Sequence, residues 1–255
     1  MKIMSTVKRV TDPDQKISIS DDGTAVETEG GEEVMNQMDE WGVEEAIQLK
    51  EEHADADDED WEVVVVSVGS SDATKEIRKG IAMGADRGIL VETDEDPDSD
   101  AVARILAEVA RDEEPDLITL GKLSLDTDRN QTGQLLAAYL GWPQATFAYE
   151  VELGDDGWVT VDREIDGGSD TKRLRLPAII TAIERLNDPR YAALPDIMQA
   201  KNKPLDVTTP DELGVDIAPK LKAERFEFPP EREAGEIVED VDELIEKLED
   251  EANLI

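Results

Sequence analysis

The chain has 255 residues, enough for one large domain or a domain with an extension, and its 64 acidic against 26 basic residues leave a formal net charge of -38. A field of that sign repels phosphate polymers and anionic membrane surfaces, which excludes nucleic acid as a partner. Direct membrane insertion is not expected either, because no apolar run is long enough. There is no cysteine, so disulfides, thiolate nucleophiles and cysteine metal sites are excluded, and the one histidine, His53, lies in the charged run EEHADADDED and is read as solvated.

The amino end, MKIMSTVKR, lacks the apolar stretch of a secretory signal, and Lys2 to Val10 reads as a first strand. ISISDDGTAVETE follows as a hairpin turning at Asp22-Gly23. Asn36 precedes QMDEWGVEEAIQLKEE, where Trp41, Val43, Ala46, Ile47 and Leu49 suit an amphipathic helix that Asn36 is placed to cap. WEVVVVSVG is a continuous apolar strand of the kind buried on both faces, and its apolar run is far too short to span a bilayer. Helix-like SDATKEIRKGIAMGA, strand-like RGILVE, helix-like DAVARILAEVARDE, strand-like DLITLG and a helix from about Asn130 to Gly141 continue the alternation. It predicts an α/β fold with a doubly wound, mostly parallel, Rossmann-like sheet.

After Gly141 the pattern changes to strands, TFAYEVEL, WVTVDREI and TKRLRLPAIIT, the last two paired across Gly167-Gly168 as an antiparallel addition. Beyond Arg185 the prolines at 189, 195, 204, 210, 219, 229 and 230 predict an irregular arm with no compact core of its own. A final helix, roughly Val238 to Glu251, sets Val241, Leu244, Ile245 and Leu248 on one face, a stripe that needs another chain or domain to cover it.

The segment DLITLGKLSLDTDRNQTGQLLAAYLG crowds polar groups at the carboxyl end of a buried strand. Open parallel sheets bind ligands there, and the helix beginning near Asn130 offers unpaired amides and a positive dipole end to an anion such as a phosphate. Asn130, Gln131 and Thr132 add side-chain donors, while Gly121 and Gly133 would let a ligand approach the backbone. SVGSSD, Ser67 to Asp72, is a second strand end, and Asn36 marks a third helix entrance. Singly these are ordinary caps and turn residues; together they favour a nucleotide-sized anionic ligand. No P-loop and no GxGxxG is present, and Asp126 and Asp128 are too ordinary in so acidic a chain to assign a metal.

The runs MNQMDEWGVEEAIQLKEE, GIAMGADRGI, DTDRNQTGQ, GWPQATFA, REIDGG and RLNDPRYAALPDIMQAKNKP, in that order, resemble the small, or beta, subunit of electron transfer flavoproteins. The resemblance covers nearly the whole chain and implies an adenine-nucleotide hydrolase-like sheet and a non-catalytic electron carrier, heterodimeric with an alpha subunit that holds most of one shared FAD. It implies AMP in the crevice of this chain, as in the AMP-binding type, on Thr6, on Asn36, Gln37, Met38 and Asp39, and on Val68. It extends the site along Gly121, Lys122, Leu123, Ser124, Leu125 and Asp126, then Thr127, Asp128, Arg129, Asn130, Gln131 and Thr132. Glu164 is implied to approach the flavin from this subunit.

The resemblance divides the chain into a nucleotide-binding core (1–185), a recognition loop with a partner-wrapping arm (186–236) and a helix docking on the partner subunit (237–255). Leu194, with Pro195, Ile197 and Met198, is implied to dock acyl-CoA and related dehydrogenases, although from the residues alone Leu194 reads as packing internally. A membrane quinone oxidoreductase is implied as the electron acceptor. The remaining alternatives are a bifurcating-type small subunit with FAD in the crevice and a stand-alone adenine-nucleotide sensor. The acidic residues run along the whole chain, which suits a surface kept hydrated in concentrated salt, so a halophile and a cytoplasmic location are expected.

Overall fold

Val63 to Val66 point alternately to two sides of one sheet, and each side meets its own helices. Val63 and Val65 pack with Val43, Ile47, Ile77 and Ile81, whereas Val64 and Val66 pack with Ile105, Leu106, Val109 and Leu136. All four valines are fully buried, and each contributes on the order of 1.5 kcal/mol or more. The computed structural model describes residues 1–28, 31–53, 61–154, 156–231 and 234–250.

In chain order the first elements are β1 (Lys2–Thr6), β2 (Arg9–Thr11), β3 (Ile17–Ile19), β4 (Val26–Thr28), β5 (Glu33–Met35) and α1 (Gln37–His53). Next come β6 (Glu62–Gly69), a 3-10 turn (Ser71–Ala73) running into α2 (Thr74–Met83), β7 (Arg87–Glu92), α3 (Ser99–Glu113), β8 (Leu117–Gly121) and α4 (Thr132–Leu140). The chain continues through β9 (Gln144–Leu153), β10 (Trp158–Ile165), β11 (Gly168–Arg175), β12 (Ala178–Ala182), α5 (Leu194–Ala200), β13 (Leu205–Thr208) and α6 (Val241–Asp250).

The main sheet has nine strands in the order β11-β10-β9-β12-β8-β1-β6-β7-β13. Strands from β9 to β13 in that order run parallel, and β10 and β11 add antiparallel to β9. From β1 the chain winds outward through β6 and β7 with α1 and α2 on one face. It then crosses back through α3, on the other face, to place β8 on the far side of β1. The sheet is doubly wound, as expected, and its winding reverses between β1 and β8, where a ligand crevice belongs.

Four expectations change in detail. The first strand breaks at Val7-Lys8, because Lys8 turns its N–H to the Asp39 carboxylate and β2 pairs instead with β5. TKRLRLPAIIT is two strands, the first paired with β10 and the second inserted parallel between β8 and β9, parted by a cis Leu176-Pro177 bond. The fourth helix begins at Thr132 rather than near Asn130, since Asp128 (φ 48°) and Asn130 (φ 47°) take the left-handed conformation that these two residue types tolerate. The arm after Arg185 is not wholly irregular: Pro195 opens α5 at a first-turn position, and β13 joins the sheet edge beside β7. The hairpin at Asp22-Gly23 forms as β3 and β4. The last helix is described to Asp250, and Glu251 lies outside the described residues, as does the spacer at 54–60.

Candidate functional site

Three strand ends are knitted together before any ligand is considered. Asn36 follows β5, and its N–H donates to the Lys8 carbonyl (2.8 Å). Its side-chain Nδ2 donates to the Leu123 carbonyl (2.9 Å), and Oδ1 accepts from the Leu125 N–H (3.1 Å). The expected side-chain cap on α1 is therefore not what Asn36 provides; its amide is spent holding the loop after β8. Asp39, in the first turn of α1, accepts from the N–H groups of Lys8 (2.8 Å) and Gly121 (3.0 Å), joining the ends of β1 and β8. Burial pushes the Asp39 carboxyl up to about 7 against these favourable donors.

Gly121 is required by this junction rather than by ligand approach. A Cβ there would lie 2.6 Å from Asp39 Oδ1 and from the Met38 backbone. Gly133 is likewise fixed by packing, since its Cβ would come within 2.8 Å of Thr181. The two glycines thus bring α1 and α4 close to the sheet.

The junction frames a crevice of about 640 Å³ at the carboxyl ends of β1, β6 and β8. Its apolar wall includes Val66, Val68, Val102, Leu106 and Leu120, and its polar wall comes from the loop before α4. No side chain caps α4, so the first amides of a nine-residue helix face this loop without an internal acceptor from the cap position. Lys8 is held 2.7 Å from Asp126 and Lys122 3.3 Å from Glu184, whereas Arg129 forms no ion pair among the described residues. Although burial opposes it, the Lys8 ammonium holds the Asp126 carboxyl below its ordinary range. The site can therefore take a flat apolar group against the sheet end and an anion at α4, with Arg129 as counter-charge.

Of the residues expected here, Thr6, Asn36, Asp39 and Val68 line the crevice. So do Gly121 to Ser124, Asp126, Thr127 and Arg129 to Thr132. Gln37, Met38, Leu125 and Asp128 do not: Met38 packs against Gly121, and Leu125 serves through its amide to Asn36. Sequence reasoning missed Asp96 to Ser99 at the start of α3, Thr24 of the hairpin, and Pro219, Leu221, Lys222, Ala223 and Phe226 of the arm. Asp98 carried a usable signal, an aspartate at a helix start; the arm residues carried none. Among the described residues no cluster of three or more acidic or histidine side chains could hold a metal ion.

Glu164 lies elsewhere, on β10, paired with Arg185 at 3.1 Å, and Arg185 sits 5.1 Å over the Tyr149 ring. His53 stacks on Trp61 with ring centroids 5.9 Å apart, at an exposed position.

A second region stands out by exposure. Leu194 is 73 % exposed, which overturns its reading as an internal residue, and Tyr191, Ile197 and Met198 are exposed beside it. The segment is anchored just before these side chains. Arg190 pairs with Glu44, which is 2 % exposed, at 2.9 Å and with Glu51 at 2.6 Å. Hydrogen bonds to Glu51 and Glu44 raise the Arg190 guanidinium further into its charged form. Asn187 donates to the Trp41 carbonyl and to Glu45, whose carboxyl burial pushes up to about 7.

Comparison with known proteins agrees with the architecture. The electron transfer flavoprotein domain family matches residues 24–213. The chain is similar to the electron transfer flavoprotein subunit beta of Bradyrhizobium diazoefficiens, 49% identical over 100% of both chains. It is 48% identical to the mitochondrial subunit beta of Arabidopsis thaliana, again over 100% of both. To the human subunit beta it is 46% identical, covering 98% of this chain and 97% of that one.

Proposed function

Because the chain belongs to the electron transfer flavoprotein beta-subunit family, we propose that it forms a heterodimer with an alpha subunit and carries electrons through a shared FAD. The electrons come from acyl-CoA and related dehydrogenases and leave towards a membrane quinone oxidoreductase, while the crevice of this chain holds AMP as a structural ligand. The observation that carries the AMP reading is the uncapped amino end of α4, facing a crevice with Arg129 on one wall and Val66, Val68 and Leu120 on the other. A purine fits the apolar side, and a monophosphate fits amides and guanidinium together. Bound there, AMP stabilises the folded chain by an amount that grows with the logarithm of its free concentration over its dissociation constant.

FAD, held mainly by the alpha subunit, supplies the redox chemistry when bound, and this chain has the role of a carrier subunit rather than an enzyme. The Glu164–Arg185 pair beside Tyr149 is the polar-aromatic edge offered to the flavin. Tyr191, Leu194, Ile197 and Met198, with Pro195 setting the start of α5, are the surface offered to dehydrogenases. The exposed apolar face of α6, Val241, Leu244 and Ile245, is offered to the alpha subunit. No helix among the described residues is long and apolar enough to cross a membrane. From the acidic residues spread along the whole chain we place the protein in the cytoplasm of a halophile.

Co-expression with the alpha subunit, followed by acid extraction and mass spectrometry of the nucleotides, tests this reading. A yellow heterodimer releasing one AMP and one FAD is expected. Two FAD per heterodimer would move the crevice to flavin binding, and a colourless monomer without adenylate would overturn the reading.

A further inference from the structure

The crevice has a wall that the sheet does not supply. Residues 219–226, from the proline-rich arm, cross its mouth, with Pro219, Leu221, Ala223 and Phe226 lining it. The crossing segment is fastened at both ends to elements that also line the crevice. At one end Asp98 Oδ2 accepts from the Lys220 N–H (2.6 Å) and the Leu221 N–H (2.9 Å), while its Oδ1 accepts from the Ala101 N–H (2.9 Å) to cap α3. Asp98 is 5 % exposed, so both oxygens are committed out of bulk water. Burial opposes its charge, yet the three amides keep its carboxyl below the ordinary range.

Neighbouring contacts reinforce this end. Lys220 Nζ pairs with Asp100 at 2.9 Å, and Arg104 donates to the carbonyls of Asp216 and Ala218. At the other end the Phe226 N–H donates to the Gly23 carbonyl (2.8 Å) in the β3–β4 turn. Leu221 is 63 % exposed although it lines the crevice, an apolar side chain left for a ligand to cover.

We propose that residues 219–226, latched by Asp98, are the retaining wall of the nucleotide crevice and set how fast the adenylate leaves. This rests on the adenylate reading above and adds to it a positioning residue, Asp98. The physical basis is the asymmetry of the carboxylate: one oxygen serves the helix, the other serves only the strap. A neighbouring cavity of about 460 Å³, bounded by Asp100, Gln134 and Leu135, shares Asp98, Asn130 and Leu221 with the crevice, so the latched end of the strap borders both spaces.

Asp98→Asn separates the two duties, because asparagine caps a helix as well as aspartate but turns an amide donor towards the two strap N–H groups. Asp98→Ser is the second variant, since serine also caps but is too short to reach the strap. Both are made in the full chain with its alpha subunit, loaded with labelled AMP and chased with unlabelled AMP. Lys220→Ala removes only the ion pair to Asp100 and leaves the amide latch in place, so its effect on release should be smaller than that of either Asp98 variant. An equal effect would move the latch from Asp98 to Lys220.

Release roughly tenfold faster in both Asp98 variants is expected, with tryptic cleavage after Lys220 or Lys222 accelerated and the melting temperature in saturating AMP nearly unchanged. Release within about twofold of wild type in both variants overturns the retaining wall. Wild-type heterodimer that carries no AMP at all overturns the adenylate reading itself, so the two failures are told apart.

Discussion

The crevice and the 187–200 segment are built on opposite terms. In the crevice, polar side chains are drawn inward and tied to backbone amides: Asn36 and Asp39 between them fix the loops after β1 and β8. In the 187–200 segment, apolar side chains are pushed outward, and what holds them there is a buried carboxylate, Glu44, gripping Arg190 from behind. A pocket for a small molecule needs its donors pre-set, because a small ligand brings too few contacts to organise them. A surface for a macromolecule can leave its anchors in water and fix only their base.

The largest effect is expected where the crevice has no slack. Gly121→Ala forces a Cβ against Asp39 and the Met38 backbone, and we expect a loss of about 3 kcal/mol in denaturant unfolding together with loss of bound AMP. Wild-type stability in that variant would mean the α1–β8 junction is not rigid. Next, Arg190→Ala strands Glu44 as a buried unpaired charge and is expected to cost roughly 2–3 kcal/mol, while leaving AMP content intact. Equal loss of AMP in that variant would show the two regions to be one cooperative unit.

Glu45→Gln tests the clamp through pH. Its carboxyl is raised from 4.5 to about 7 in the folded chain, so the folded state holds the proton more tightly than the unfolded one. The stability Glu45 contributes is present below about pH 4.5 and is lost as pH rises through about 7. The glutamine variant keeps the Asn187 hydrogen bond and has nothing to lose. It should match wild type near pH 4 and exceed it by on the order of 1–2 kcal/mol at pH 8. A gap that does not widen with pH would count against burial as the cause.

Leu194→Ala should change stability least, within about 0.5 kcal/mol, because so little of the side chain is buried. Stopped-flow reduction by an acyl-CoA dehydrogenase should nevertheless slow with flavin content unchanged, and equal rates would remove Leu194 as an anchor. The acidic surface acts on both regions alike: diluting salt from molar to millimolar should lower the melting temperature of the heterodimer, and a flat profile would speak against a halophile.

Much of this was legible in the residues. The apolar run Val63 to Val66 marked a strand buried on both faces, and the alternation from Asn36 to Gly141 gave the winding. The polar loop after Leu120 marked the crevice, because strand ends in such sheets leave amides exposed. The errors have local causes. Asn36 looks like a cap to any rule that reads neighbours in sequence, yet its partners are Leu123 and Leu125. Gly121 and Gly133 looked like openings for a ligand, yet both are filled by the protein's own helix and strand. Taken without the resemblance, Leu194 read as internal, whereas the resemblance implied an exposed anchor; it is exposed, on a segment held through Arg190 and Asn187.

By itself the sequence determined the order of strands and helices and which of them are buried, since periodicity and turn residues act between near neighbours along the chain. Tertiary structure alone decided that residues 219–226 return to the crevice, that β13 extends the sheet beyond β7, and that Glu44 and Glu45 grip a segment far along the chain. Those contacts join residues far apart in sequence through a short strand pairing, hydrogen bonds and ion pairs, none of which leaves a period or composition for a linear reading to find.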